Sequence, residues 1–62
     1  MPNRIQQRRL ELEMTQAELA ERLKISISYL SKLENERVNI NVRLAIRIAR
    51  ALRARVEDIF FD

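Results

Sequence analysis

The chain has 62 residues, of which 47% are apolar and 34% charged, and its formal net charge is +3. That length allows one domain, whose core covers only about 60% of the surface the unfolded chain exposes, and the apolar content is too high for a disordered chain. Cys and His are absent, which excludes disulfides, thiolate nucleophiles, the common zinc ligands and the common general base.

No apolar run approaches the roughly 20 residues a membrane span needs. The opening MPNRIQQRRL lacks the apolar stretch of a signal peptide. A single domain over residues 1–62 is expected, in a cytosolic setting, with no metal, cofactor or small-molecule ligand.

Helical periodicity runs through the whole chain. A first helix is expected to start after Asn3, with Gln6 three residues on as a weak capping box, and to end near Glu13. Its apolar residues are Ile5, Leu12 and Leu10. Thr15-Gln-Ala-Glu18 is a clearer capping box, in which the Thr15 hydroxyl accepts from the backbone N–H of Glu18 and the Glu18 carboxylate reaches back. Leu19, Ala20 and Leu23 then form one narrow apolar face.

Ser26 is a cap residue directly before Ile27 and starts a third helix, whose Leu30 and Leu33 face inward. Asn41 caps a fourth, with Val42, Ala45, Ile48, Ala49 and Leu52 as its apolar stripe. A short fifth helix is expected from about Val56 to Phe60, where Glu57 and Asp58 suit the helix dipole although Arg55 is a poor cap. No strand-type alternation occurs, so the fold class is all-α, five short helices joined by tight turns.

The charge is unevenly placed. Ten of the twelve basic residues are Arg, and residues 37 to 55 hold six of them with no acid, whereas Glu11 to Glu21 holds four Glu and no base. A basic half fits a polyanionic partner, and it also fits an ordinary solvated surface.

The second and third helices are separated by only about three or four residues. Helices so joined cross steeply and share one small core, so the first supports the second and leaves its outer face free. The DNA major groove admits one α-helix, and this helix-turn-helix arrangement places it there.

Thr15-Gln16, Leu19-Ala20, Ile25-Ser26, Leu30-Ser31-Lys32-Leu33-Glu34-Asn35, Ile48-Ala49, Ala51-Leu52 and Val56-Glu57-Asp58-Ile59-Phe60 together resemble the lambda-repressor/Cro-type helix-turn-helix family, also called XRE. The resemblance spans nearly the whole chain. It implies a recognition helix at about residues 27–35, capped by Ser26, with Ser28 and Lys32 on base edges, Gln16 on a phosphate and Asn35 where the following loop meets the DNA backbone. It also implies a pair, Arg9 with Glu34, tying the first helix to the third.

The residues themselves agree with those roles. Ser28, Lys32 and Asn35 stand at i, i+4 and i+7, opposite Leu30 and Leu33. Lys donates to guanine O6 and N7, Ser to either kind of base, and Ile27 could meet a thymine methyl or join the core. Tyr29 and Ser31 suit phosphates, as does Arg37 in the loop. Arg43 lies near the start of the fourth helix, which in this fold approaches the DNA backbone. Arg47, Arg50, Arg53 and Arg55 are expected to be mostly solvated.

Several positions depart from the family pattern. Lys24, Glu36 and Arg53 fill sites usually held by Gly, just past helix ends, so either they adopt positive φ or the turns are built differently, with Asn35 able to substitute for Glu36. Glu36 also puts a negative charge beside the expected DNA backbone. Arg8 replaces an apolar residue and Ile40 a common Pro.

Leu44, Ile46, Ile59, Phe60 and Phe61 cluster late in the chain. Contiguous apolar surface of this kind marks an interface, and a homodimer through Leu44, Ile59, Phe60 and Phe61 is expected, matched to a two-fold symmetric operator. The other possibility is that these side chains complete the single chain's core. The function expected is sequence-specific binding of double-stranded DNA by a non-enzymatic transcriptional regulator, in the repressor sense, bacterial or phage-encoded. The alternatives are a DNA-binding antitoxin, or a protein-interaction module using the apolar C-terminal end.

Overall fold

The computed structural model describes residues 2–61. Five helices follow one another as α1 (Ile5–Glu11), α2 (Gln16–Leu23), α3 (Ile27–Glu34), α4 (Val42–Ala51) and α5 (Val56–Ile59). Every helix contributes to one core. Ile5, Leu19, Leu23, Leu30, Leu33, Ile48, Leu52 and Ile59 are its largest fully buried side chains. α2 packs on α3 and α4, and α4 on α5.

Polar caps start the three central helices. Thr15 Oγ1 accepts from the Glu18 N–H at 3.1 Å, while Glu18 Oε1 accepts from the Thr15 N–H at 2.9 Å. Ser26 Oγ accepts from the Tyr29 N–H at 3.0 Å, and Asn41 Oδ1 from the Leu44 N–H at 2.8 Å. These bonds satisfy N–H groups that have no partner within their own helix. The Thr15 N–H, and after it the Thr15 hydroxyl, hold the Glu18 carboxyl below its ordinary range.

The four longer helices all end in the same device, although the chain contains no glycine. Glu13, Lys24, Glu36 and Arg53 take left-handed conformations with φ of 55°, 58°, 59° and 54°. After each, an N–H reaches back to the fifth residue before it: Met14 to Arg9, Ile25 to Ala20, Arg37 to Lys32 and Ala54 to Ala49, all within 2.9–3.0 Å. This is the Schellman closure, which Gly normally makes without steric cost. Positive φ therefore occurs at the three positions where the family pattern has Gly. Asn35, at φ −92°, does not substitute for Glu36.

The first helix differs from its expected form. Arg4 rather than Asn3 stands at its cap, and Asn3 Oδ1 accepts from the Ile5 N–H at 3.1 Å from one residue further out. Leu10 and Val42 are exposed, at 58% and 77%, so neither belongs to the core face. Val42 is the first residue of α4, and the buried stripe begins only at Ala45.

The chain ends meet. Asn3 and Phe60 form an isolated antiparallel bridge. The Arg4 N–H donates to the Ile59 carbonyl at 2.8 Å, and the Phe61 N–H to the Pro2 carbonyl at 3.2 Å. The Arg4 guanidinium sits 4.6 Å from the centroid of the Phe61 ring, a cation–π contact. This seam changes the expectation for the apolar C-terminal cluster. Ile59 and Phe60 are buried in the single chain, at 1% and 6% exposure, and so offer no surface to a partner. Both belong to the single core, where α5 packs on α4.

Candidate nucleic-acid interface

The α2–α3 unit turns through three residues. Lys24 closes α2 in the left-handed conformation, Ile25 packs against the core, and Ser26 caps α3. Leu30 and Leu33 bury the inner face of α3 completely, which fixes the opposite face outward. On that face Ser28 and Lys32 are exposed, as are Asn35 and Arg37 beyond them, while Ser31 is half-buried. Ser28, Ser31, Lys32, Asn35 and Arg37 together line one shallow depression. Ile27 is 51% exposed and Tyr29 36%, so Ile27 stands outside the core at the leading end of the helix.

Within the depression Asn35 Nδ2 donates to the Ser31 carbonyl at 2.8 Å and lies 3.4 Å from Ser31 Oγ. The two side chains hold each other in place. Ser28 and Lys32 are exposed side chains of α3 in this depression that make no hydrogen bond among the described residues.

Beneath this face lies a buried polar knot. Arg9 Nε donates to Glu34 Oε2 at 2.8 Å and Arg9 Nη2 to Glu34 Oε1 at 3.4 Å. Their side chains are 7% and 3% exposed. Arg9 Nη1 donates to the Met14 carbonyl at 2.9 Å, and Gln16 Nε2 to Glu34 Oε1 at 2.9 Å. Two charges buried this deeply are tolerable only with their bonding positions filled, as they are here. The knot joins α1, the start of α2 and the end of α3. It holds the half-buried Gln16 through one amide N–H, and the amide has a second N–H to donate.

Three further side chains hold the helices around α3 through carbonyls at helix ends. Asn3 Nδ2 donates to the Leu33 carbonyl at 3.0 Å. Arg8 Nε donates to the Leu52 carbonyl at 2.9 Å, and its Nη2 to Arg53 at 3.3 Å. Arg47 Nη2 donates to the Leu23 carbonyl. Cations at helix C-termini also suit the dipole. Arg47 was expected to be mostly solvated; it is exposed, but one N–H pins α4 to the end of α2. Arg8 departs from the apolar family pattern because its guanidinium closes α4 rather than packing. The sequence signals for these roles were weak: an Asn near a helix start reads first as a local cap, and Arg47 lies in a stripe of arginines.

Arg43, the second residue of α4, is exposed, as is Arg37 in the loop before it. Of the apolar residues expected at a dimer contact, Leu44 is half-buried and Phe61 37% exposed; Ile46, on the same stretch of chain, is 38% exposed. Among the described residues no group of His, Cys, Asp and Glu could hold a metal ion, and no helix is long and apolar enough to cross a membrane.

The family described as Helix-turn-helix matches residues 5–59. The chain belongs to this family, of the XRE type. An uncharacterized HTH-type transcriptional regulator of Archaeoglobus fulgidus is 41% identical to it over all of this chain and 89% of its own length. A second such regulator of the same organism is also 41% identical, over all of this chain and 90% of its own length. One of Methanothermobacter thermautotrophicus is 47% identical over 90% of this chain and 83% of its own length.

Proposed function

We propose that the chain is a sequence-specific regulator of transcription that binds double-stranded DNA in the cytoplasm, with α3 in the major groove. The observation that carries this is the outer face of α3. Ser28 and Lys32 stand exposed on a helix whose inner face is wholly buried, in one depression with Arg37. Ser28 and Lys32 read base edges, and Ile27 meets a thymine methyl. Gln16, Tyr29, Ser31, Asn35, Arg37 and Arg43 position the backbone phosphates. The regulators similar to this chain are consistent with that role.

The chain acts as a homodimer on a two-fold symmetric operator and represses by occupying it. With Ile59 and Phe60 buried, the dimer contact uses Leu44, Ile46 and Phe61. No catalytic role is assigned. An antitoxin or partner-docking role would use the same C-terminal end, and the burial of Ile59 and Phe60 leaves little there for a foreign partner.

Selection of bound sites from a random double-stranded pool tests this at about 150 mM salt, where purely electrostatic binding is weak. A two-fold symmetric consensus is the expected result. No enrichment over the starting pool would overturn it.

A further inference from the structure

Between Asn35 and Val56 the chain carries Arg37, Arg43, Arg47, Arg50, Arg53 and Arg55, and a single acid, Glu36. That acid lies between two residues of the candidate nucleic-acid face. Its neighbours in sequence, Asn35 and Arg37, both line the depression that holds Ser28 and Lys32, and consecutive Cα atoms lie about 3.8 Å apart.

Glu36 gives the fold little through its side chain. It is exposed, and among the described residues it takes part in none of the three ion pairs. Its backbone is left-handed, at φ 59°, a conformation in which a glutamate is strained and a glycine is not. Glu34, two residues earlier, is the opposite case: its charge is buried and compensated by Arg9 and Gln16. The left-handed backbone of Glu36 is shared with Glu13, Lys24 and Arg53; what sets Glu36 apart is an uncompensated charge between two residues of the candidate face.

We propose that Glu36 limits the affinity of this face for nucleic acid. It rests on the DNA-binding role proposed above. When Asn35 and Arg37 approach phosphates, the Glu36 carboxylate lies well within a Debye length, about 10 Å at 0.1 M salt, of the same backbone. It opposes the phosphate field that the surrounding arginines attract. Binding to unrecognised DNA depends almost wholly on that attraction. The repulsion therefore keeps such binding weak and short-lived, while base contacts by α3 add to it only on the correct site. A repulsive element of this kind is a common device for restraining unwanted partners.

The test compares the wild type with Glu36→Gln and Glu36→Gly. Binding to a fluorescein-labelled random-sequence duplex of about 25 base pairs, over two helical turns, is followed by anisotropy from about 50 to 200 mM salt. Glu36→Gln is expected to bind about threefold or more tighter at the low-salt end, with the log–log salt slope steeper by up to about one. Its melting temperature should match the wild type, because glutamine keeps the left-handed strain. Glu36→Gly should gain the same affinity and melt higher. Salt-dependent binding by the wild type that Glu36→Gln leaves equal would overturn the proposal. Weaker binding by Glu36→Gln would overturn it as well, and would point to a carboxylate accepting from a cytosine amino group. Absence of salt-dependent binding by the wild type would instead remove the DNA-binding role and this proposal with it.

Discussion

The α2–α3 unit and the seam between the chain ends are held in different ways. Each start in the α2–α3 unit is local: Thr15 with Glu18, Ser26 with Tyr29, three residues apart. The seam is wholly non-local, joining Pro2, Asn3 and Arg4 to Ile59, Phe60 and Phe61. Asn3 links the two regions, since its amide also donates to the Leu33 carbonyl at the end of α3. A presenting helix in so short a chain thus depends on both kinds of bond. Local caps decide that it is a helix, and distant contacts decide where it points.

The largest effect is expected at the Arg9–Glu34 pair beneath the α2–α3 unit. Glu34→Ala leaves the Arg9 charge buried without its partner and should cost about 3–5 kcal/mol in urea unfolding. Replacing both, as Arg9→Met with Glu34→Leu, should recover part of that loss, leaving about 1–3 kcal/mol, because no buried charge is orphaned but the Met14 carbonyl loses its donor. Equal losses in the single and double variants would show that the knot acts by shape and not by charge.

The link from the seam to α3 should prove weaker. Asn3→Ala keeps the backbone bonds of the seam but removes the bond to the Ile5 N–H and the bond to Leu33, at a cost of about 1–2 kcal/mol. It should also raise amide hydrogen exchange at Ile5 and Arg4 more than at Glu18. Uniform acceleration would mean that the seam and the α2–α3 unit open as one.

Thr15→Ala should cost about 1 kcal/mol, confined to the start of α2. Its partner gives a pH signature. The Glu18 carboxyl is held below its ordinary range by the Thr15 N–H and then by the Thr15 hydroxyl. Its contribution is therefore present in full above the ordinary glutamate range and lost as pH falls through the lowered value. Thermal melts of Glu18→Gln should lack that acid-side component.

The smallest effect has the opposite sign. Lys24→Gly relieves a left-handed lysine at the α2–α3 turn, and should stabilise by roughly 0.5–1 kcal/mol after the flexibility of glycine in the unfolded chain is set against it. Destabilisation would show that the lysine side chain has a role beyond its exposed position.

The local layer of the molecule was legible in the sequence. Thr15, Ser26 and Asn41 stand at helix starts because their side chains satisfy N–H groups within three residues. Lys24, Glu36 and Arg53 stand past helix ends by the family pattern, which has glycine there, and not by any stop signal of their own. The fourth left-handed residue, Glu13, escaped notice because the apolar pattern of α1 fades before its end. The non-local layer was mostly hidden. Nothing near Arg8 indicates that it will donate to Leu52, 44 residues away, nor does the context of Asn3 name Leu33, 30 residues away. The late apolar cluster of Ile59, Phe60 and Phe61 looked like spare surface. Ile59 and Phe60 instead join the core, and a polar segment near the other end pairs with them through backbone bonds that hydropathy alone does not foretell. On the outer face of α3 the exposed residues could be placed by periodicity, but the Asn35–Ser31 clasp could not, since it depends on a rotamer.

The central claim, that the outer face of α3 reads base sequence, is tested most directly by repeating the site selection with Lys32→Ala beside the wild type. Loss of a base-reading contact should relax the consensus at one position in each half-site, where a correct pair is worth about 1–3 kcal/mol, while the remaining positions keep their preference. An unchanged consensus with uniformly weaker binding would contradict the claim and make Lys32 a phosphate contact.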